Sequence, residues 1–144
     1  MKKTFYIDSS TTTGEALEEL SFIGADLIIE TLDGLSENTI IPIKQDDKSA
    51  TFAPKIKVED CKINWNNSAE NIHNQIRAFS PKPGAWFLHQ NERIKIISCS
   101  KIINKSIAST IINERFHIGC KGGAIAPIII QREGKKSMEI DDFL

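Results

Sequence analysis

The sequence predicts an α+β protein in which a short strand and a helix lead, through a linker, to a small β-barrel with a flanking helix. Three observations support this fold class. Thr12 and Glu15 form a capping box that opens a long segment with helical apolar spacing. A second helical segment ends at Pro81 and Pro83. Four or five short β-rich runs then follow, separated by turn residues, which is typical of small barrels.

The N-terminal unit, residues 1–43, holds the first strand and the first helix. Thr4–Ile7 alternates weakly and predicts a short strand. The helix is predicted over Gly14–Asp33, with Gly34 just beyond its C-cap. One strand and one helix cannot bury an apolar stripe by themselves, so the unit is predicted to be part of a larger domain. The stripe consists of Leu17, Leu20, Ile23, Gly24, Leu27 and Ile28.

A linker is predicted over residues 44–64. The apolar residues Ile40–Ile43 give way abruptly to the charged run Lys44–Ser49. Phe52–Lys55 contains a proline and continues the linker in an extended form.

The last predicted domain, residues 65–144, begins with a short helix. Asn67 and Glu70 offer it a capping box. The helix must end at Pro81 and Pro83, because each proline pushes its predecessor out of the α region. Its predicted buried stripe is Ala69, Ile72, Ile76 and Phe79.

The β-rich runs follow this helix. Asn91-Glu92 and Lys121-Gly122-Gly123 are natural turns between them. Trp86 opens the first run and is predicted to lie in the core rather than to stack on a ligand. The predicted strands are Ala85–His89, Arg93–Ile103, Thr110–Ile112, Arg115–Cys120 and Ala124–Gln131.

Charge is distributed unevenly along the chain. Met1–Asp47 carries three lysines against ten acidic residues, a net charge of −7, whereas Lys48–Lys136 carries fifteen basic residues against six acidic ones, a net charge of +9. The last eight residues add three acidic side chains. A basic body behind an acidic head favours a polyanionic partner for the body, and the alternative is a solvated surface that keeps the protein in solution.

Cysteine and histidine usage predicts neither a disulfide framework nor a metal site. Cys61, Cys99 and Cys120 are odd in number and lack CxxC spacing, as expected of reduced thiols in a cytoplasmic protein. The histidines are scattered singly. Met1-Lys2-Lys3 is not followed by an apolar run, so no signal peptide is predicted, and no membrane span is predicted either.

One stretch carries a family resemblance. A basic helix end, two spaced prolines, a glycine and a tryptophan occur together in Ile76–Phe87. With Thr51–Lys55 and Ile63-Asn64-Trp65 before it and Gln131–Lys136 after it, the chain resembles the C-terminal portion of the methionyl-tRNA formyltransferase family. The first segment is similar to the last strand and helix of that family's catalytic domain. Related folate-dependent formyltransferases share parts of the pattern.

The resemblance implies a Rossmann-like formyltransferase remnant over residues 1–43 and an OB-like barrel over residues 65–144. It also implies that the intact enzyme transfers formyl from 10-formyltetrahydrofolate to the methionine amine of initiator tRNA. The family's catalytic Asn, His and Asp lie in an earlier part of the enzyme that this sequence does not match. His73 and Asn74 are not taken as a catalytic pair, because Ile72 and Ile76 define the buried side of the helix and His73 is expected on its exposed side. No catalytic residue and no bound cofactor are therefore predicted, and the chain is expected to be inactive alone.

A transfer RNA is the polyanion that the resemblance implies. Lysine and arginine side chains spread over a curved face suit phosphate recognition. Alternation along the second strand places Arg93, Lys95 and Lys101 on the side opposite Ile94 and Ile96. The candidate tRNA-binding residues are Lys55, Lys57, Arg77, Lys82, Lys95, Lys101, Lys121, Lys135 and Lys136.

Two other functions remain open from the sequence. The chain could be an accessory module that binds a separately encoded protein through its acidic head, or a fragment of another folate-dependent formyltransferase. It also departs from the family pattern at both ends and at Ile107–Thr110, where a Pro-Gly-Thr turn is common. These departures predict a split or truncated gene product with an incompletely closed barrel.

Overall fold

The computed structural model describes residues 1–103 and 108–144 and is of the α+β class. Helix α1 spans Thr13–Ser36, α2 spans Ala69–Phe79 and α3 is the short turn Ile140–Phe143. One antiparallel sheet contains strands β1 to β5 in the order β1-β2-β4-β3, with β5 also pairing with β4. The strands are Ala85–His89, Glu92–Ile102, Ile118–Cys120, Gly123–Arg132 and Ser137–Glu139.

Helix α1 begins as predicted and ends later. The Thr12 amide donates to Glu15 Oε2 over 2.8 Å and the Glu15 amide donates to Thr12 Oγ1 over 3.3 Å, which confirms the capping box. The prediction that Gly34 follows the C-cap was wrong. Gly34 lies inside the helix and is buried under the side chain of Ile40. The residue that adopts the left-handed conformation after the helix is Asn38.

The predicted strand Thr4–Ile7 was also wrong. This segment is irregular in the structure and pairs with none of the five strands. Alternation alone does not make a strand, since a strand needs a neighbour to accept and donate its backbone hydrogen bonds.

Helix α2 has the predicted stripe but a different cap. Ser68, not Asn67, is the N-cap, and its hydroxyl accepts a hydrogen bond from the Asn71 amide over 3.2 Å. The Asn67 carbonyl instead accepts from the Lys121 amide. At the other end, the bonds before Pro81 and Pro83 are both cis, and Gly84 turns the chain into β1 with a φ of +87°.

The sheet confirms three predicted strands and corrects the rest. Thr110–Ile112 is not a strand, because only Ile111 bridges to Ile118, and β3 covers only the end of the predicted Arg115–Cys120. The described turns at Asn91 and Gly122 both have positive φ angles, as the predicted turn positions require. Sequence analysis missed β5 and α3. The Pro-Gly-Thr departure lies partly outside the described residues, since Ile107 is not among them.

The core lies between α2 and one face of the sheet. Six isoleucines are almost fully buried there, and Trp65, Phe87 and Phe116 close its edge. The opposite face of β1, β2 and β4 is left for other contacts. No helix in the described part of the chain is both long and apolar enough to cross a bilayer. The six fully buried isoleucines are Ile72, Ile76, Ile94, Ile96, Ile125 and Ile130.

Candidate nucleic-acid interface

Strand register builds a polar row across the outward face of the sheet. Alternation buries Ile94 and Ile96 and turns Lys95 outward, as predicted. Lys95 pairs with Trp86 of β1 on one side and with Gln131 of β4 on the other, and Gln131 pairs with Ser137 of β5. Four strands therefore present Trp86, Lys95, Gln131 and Ser137 side by side.

Trp86 belongs to this outward face, so its predicted place in the core was wrong. Its indole Nε1–H donates to the Val58 carbonyl over 2.9 Å, which fastens the linker to β1. The guanidinium of Arg93 lies 4.6 Å from the ring centroid and the Lys62 ammonium lies 5.6 Å from it. The residue that completes the core from this strand is its neighbour Phe87. Trp86 thus holds two cations at the sheet surface through cation–π contacts.

Two adjoining concavities follow the polar row. One has a volume of about 510 Å³ and is lined by Pro81, Lys82, Pro83, Lys95, Ile97, Gln131 and Ser137. The other has a volume of about 210 Å³ and is lined by Arg93, Lys95, Gln131, Arg132, Glu133, Gly134 and Lys135. Because Lys95 and Gln131 line both, we treat the two concavities as one surface and call it the basic groove.

The basic groove brings together three of the nine predicted cations. Lys82 and Lys135 are exposed and Lys95 is half-buried between them, while Lys136 adjoins Lys135 at the same turn. The list from the sequence omitted Arg93, although alternation had already placed Arg93 on the outward face. Arg132 lines the groove too, but it forms an ion pair with Glu92 at 2.8 Å. Hydrogen bonds from Arg132 hold the pKa of the Glu92 carboxyl below its usual range.

The other predicted cations lie elsewhere. Lys55 and Lys57 are exposed in the linker. Lys101 forms an ion pair with Glu70 of α2, and the hydrogen bond from Lys101 lowers the pKa of that carboxyl. Lys121 lies in the turn before β4, whereas Gln131 lies near the other end of that strand, roughly 26 Å from its first residue at about 3.3 Å per residue. These four lysines do not line the basic groove.

Arg77 is committed to a contact within the chain. Its Nη1 donates to the carbonyls of Asp8 and Thr11, both at 3.1 Å, and its Nε donates to Asn74 Oδ1 over 2.9 Å. In the sequence, Arg77 and Lys82 lie on either side of Pro81. In the structure the guanidinium instead faces the segment that precedes α1.

His73 is half-buried, so the expectation that it lies on the exposed side of α2 was wrong. Its Nδ1 is buried without a hydrogen-bond partner, and burial, followed by the charge of Lys101, lowers the pKa of the ring. Burial also raises the pKa of the Cys99 thiol to about 12. In the described part of the chain, no group of three His, Cys, Asp or Glu residues could hold a metal ion.

Comparison with known proteins gives a consistent result. Residues 55–144 match the family model described as the formyl transferase C-terminal domain. The chain is 37% identical over 135 residues to a methionyl-tRNA formyltransferase from Rhizorhabdus wittichii, covering 92% of this chain and 43% of that protein. It is 36% identical to one from Thermodesulfovibrio yellowstonii, covering 100% and 47%. The chain therefore spans less than half the length of these curated relatives.

A solved structure shares the fold. A crystal structure of a HypX variant from Aquifex aeolicus matches 99% of this chain with a TM-score of 0.78, at 14% identity and over 26% of its own length. HypX in complex with tetrahydrofolic acid matches with a TM-score of 0.76 at 15% identity. At these identities the likeness concerns the fold alone.

Proposed function

This chain belongs to the formyltransferase C-terminal domain family, and we propose that it is the tRNA-docking portion of a methionyl-tRNA formyltransferase. The intact enzyme of this proposal transfers formyl from 10-formyltetrahydrofolate to the methionine amine of initiator tRNA in cytoplasmic translation initiation. Two findings support the proposal: the names of the relatives that match along this chain, and the basic groove.

The basic groove is the observation that carries the proposal. Lys82, Arg93, Lys95 and Lys135 converge there from a proline turn, a strand and a second turn. Among the described residues, no acidic side chain forms an ion pair with any of these four. Cations distributed along a concave track can contact successive phosphates of an RNA backbone without reading bases. The outward sheet face therefore suits sequence-independent docking of tRNA.

Catalysis is assigned to another part of the enzyme. Formyl transfer needs a base near the amine and donors for the oxyanion of a tetrahedral intermediate. Asn74 and His73 do not supply them, since the Asn74 carbonyl oxygen accepts from Arg77 and the space beside His73 measures only about 50 Å³. A pteridine ring does not fit that space. We propose that this chain alone is inactive.

The proposed domain organisation follows from the same family assignment. In this proposal residues 1–43 belong to the end of a Rossmann-like catalytic domain, residues 44–64 form the linker and residues 65–144 form an OB-like barrel. Leu17, Ile28 and Leu32 of α1 are each more than half exposed although the helix spacing places them on one apolar side. We propose that this side docks against the remainder of the catalytic domain, whose surface must be apolar to complement it.

A salt titration of tRNA binding tests the proposal. The purified chain should retain tRNA at low salt, and the logarithm of affinity should fall linearly with the logarithm of salt concentration, by about 0.7 to 0.9 per phosphate contact. An uncharged polymer is the control and should not be retained. A flat salt dependence would refute tRNA docking. It would leave the accessory-module function or another formyl acceptor in its place.

A further inference from the structure

Hydrogen bonds hold the segment before α1 against the C-terminal end of α2. They play no part in the proposed docking of tRNA. Arg77 of α2 is at its centre, with one nitrogen shared between the carbonyls of Asp8 and Thr11 at 3.1 Å each. Asn74, one turn earlier on the same helix, orients the guanidinium by accepting from its Nε over 2.9 Å. A donor held in this way is matched to a fixed pair of carbonyls.

The two carbonyls are themselves held in place by a compact turn. Asp8 Oδ1 accepts from the amides of Ser10 and Thr11, both at 2.7 Å, and from their hydroxyls, both at 2.8 Å. These hydrogen bonds, the Ser10 amide first, keep the pKa of the Asp8 carboxyl well below its usual range. The carboxylate thus shapes the turn at any pH near neutrality, and the turn presents its carbonyls to Arg77.

The start of α1 completes the contact at the C-terminal end of α2. The Thr13 hydroxyl donates to the Ala78 carbonyl over 2.6 Å, and the Gly14 amide donates to the Ser80 carbonyl over 3.0 Å. A Cβ on Gly14 would lie 2.6 Å from Pro81 Cδ, so the backbone approach requires glycine. Carbonyls that a helix end leaves without partners are satisfied here by residues more than sixty positions earlier in the chain.

We infer that Asp8–Gly14 is an interdomain latch, with Arg77 as the positioning residue that sets the direction in which α1 leaves the barrel domain. The inference rests on the proposed function only in one respect: the body that α1 would carry is the remainder of the catalytic domain. The latch then fixes that body relative to the basic groove. Arg77 accordingly contributes to domain geometry rather than to phosphate binding.

A native thiol reports on the state of the latch. Cys99 of β2 lines the small space of about 50 Å³ between the latch and α2, together with Ser10, Thr12 and Arg77. Cys120 is fully buried in the core and does not line that space. Opening of the latch uncovers Cys99 and leaves Cys120 covered, whereas global unfolding exposes both.

The experiment measures thiol-labelling rates of Cys99 and Cys120 by peptide mass spectrometry in the full chain. Arg77→Gln removes the two carbonyl contacts. Asn74→Ala leaves them in place but removes the acceptor that orients the guanidinium, together with a 3.5 Å hydrogen bond from Asn74 Nδ2 to Glu70. We expect Cys99 to label about tenfold faster in Arg77→Gln and less so in Asn74→Ala. The two carbonyl contacts share one nitrogen, and the loss of that one charged donor shifts the opening equilibrium by about tenfold. Lys121→Ala is the charge-matched control and should leave the Cys99 rate unchanged. Cys120 should not respond in any variant.

Two outcomes would overturn the latch. An unchanged Cys99 rate in Arg77→Gln would show that the contacts do not hold the segment. If Cys99 and Cys120 accelerate together, both in Arg77→Gln and in the milder Thr13→Val, the segment unfolds only with the whole domain and is not a separate latch. The salt slope of tRNA binding should be the same in Arg77→Gln as in the parent chain. If the parent chain does not bind tRNA, the proposed function is refuted, while the labelling experiment still tests the latch.

Discussion

Two substitutions of Trp86 distinguish the contribution of its hydrogen bond to stability from the contribution of its ring. In Trp86→Phe the Nε1–H that donates to the Val58 carbonyl is lost, while an aromatic face remains under Arg93. One hydrogen bond of this kind contributes about 1 kcal/mol to the free energy of unfolding. In Trp86→Ala the chain also loses the cation–π contact, about 0.5 to 1 kcal/mol, and the burial of half an indole. That burial, about 100 Å² at about 25 cal/mol/Å², is worth about 2.5 kcal/mol.

We therefore expect a destabilisation of about 1 kcal/mol for Trp86→Phe and about 4 kcal/mol for Trp86→Ala, measured by urea denaturation with an unchanged m-value. Hydrogen exchange adds a local readout. Amides around Val58–Cys61 should exchange faster in Trp86→Phe, while those of Ile94 and Ile96 should not. If the Phe variant is as stable as the parent chain, or as damaged as the Ala variant, the assignment of Trp86 as a linker anchor is wrong.

Two further predictions concern Gly84, at the turn into β1, and His73, beside the space between the latch and α2. Gly84→Ala should lower the free energy of unfolding, measured by urea denaturation, by about 1 to 2 kcal/mol. Gly84 has a φ of +87°, and the new methyl group would lie 2.8 Å from Lys95 Cδ. An effect near zero would contradict strain at this turn. Burial lowers the pKa of His73 in the folded state, so its pKa is higher in the unfolded state. The contribution of His73 to the free energy of unfolding is therefore full above about pH 6.5 and is lost as the pH falls towards the folded-state pKa. In His73→Gln the free energy of unfolding, taken relative to its value at about pH 7.5, should fall less between about pH 7 and pH 5. If its slope against pH is unchanged in that range, other groups cause the loss.

Local patterns were enough to predict the elements that make their own contacts. The stripe Ala69, Ile72 and Ile76 predicted the buried side of α2, and alternation at Ile94, Lys95 and Ile96 predicted both faces of β2. The capping box at Thr12 also held, because its hydrogen bonds are confined to one turn. These signals depend on residues a few positions apart, so the sequence contains them in full.

The site depended on contacts that local patterns do not contain. Arg77 and Lys82 are equivalent as cations near one proline turn, and only the position of the Asp8 turn, sixty-nine residues away, distinguishes them. The large apolar side chain of Trp86 suits a core position, and only its contact with the linker at Val58 accounts for its outward orientation. Strand register likewise selects Lys95 and Lys135 for one groove and leaves Lys121 at the other end of β4.

A comparison of two triple variants tests the basic groove most directly. Lys82, Lys95 and Lys135 are changed to alanine in one variant, and Lys55, Lys57 and Lys121 are changed in the other, so both lose three positive charges. We predict that the groove variant lowers the magnitude of the salt slope of tRNA binding by about two to three, and that the control variant changes it by less than about one. Equal losses in the two variants would contradict docking through the groove and would indicate a diffuse electrostatic interaction with the whole basic body.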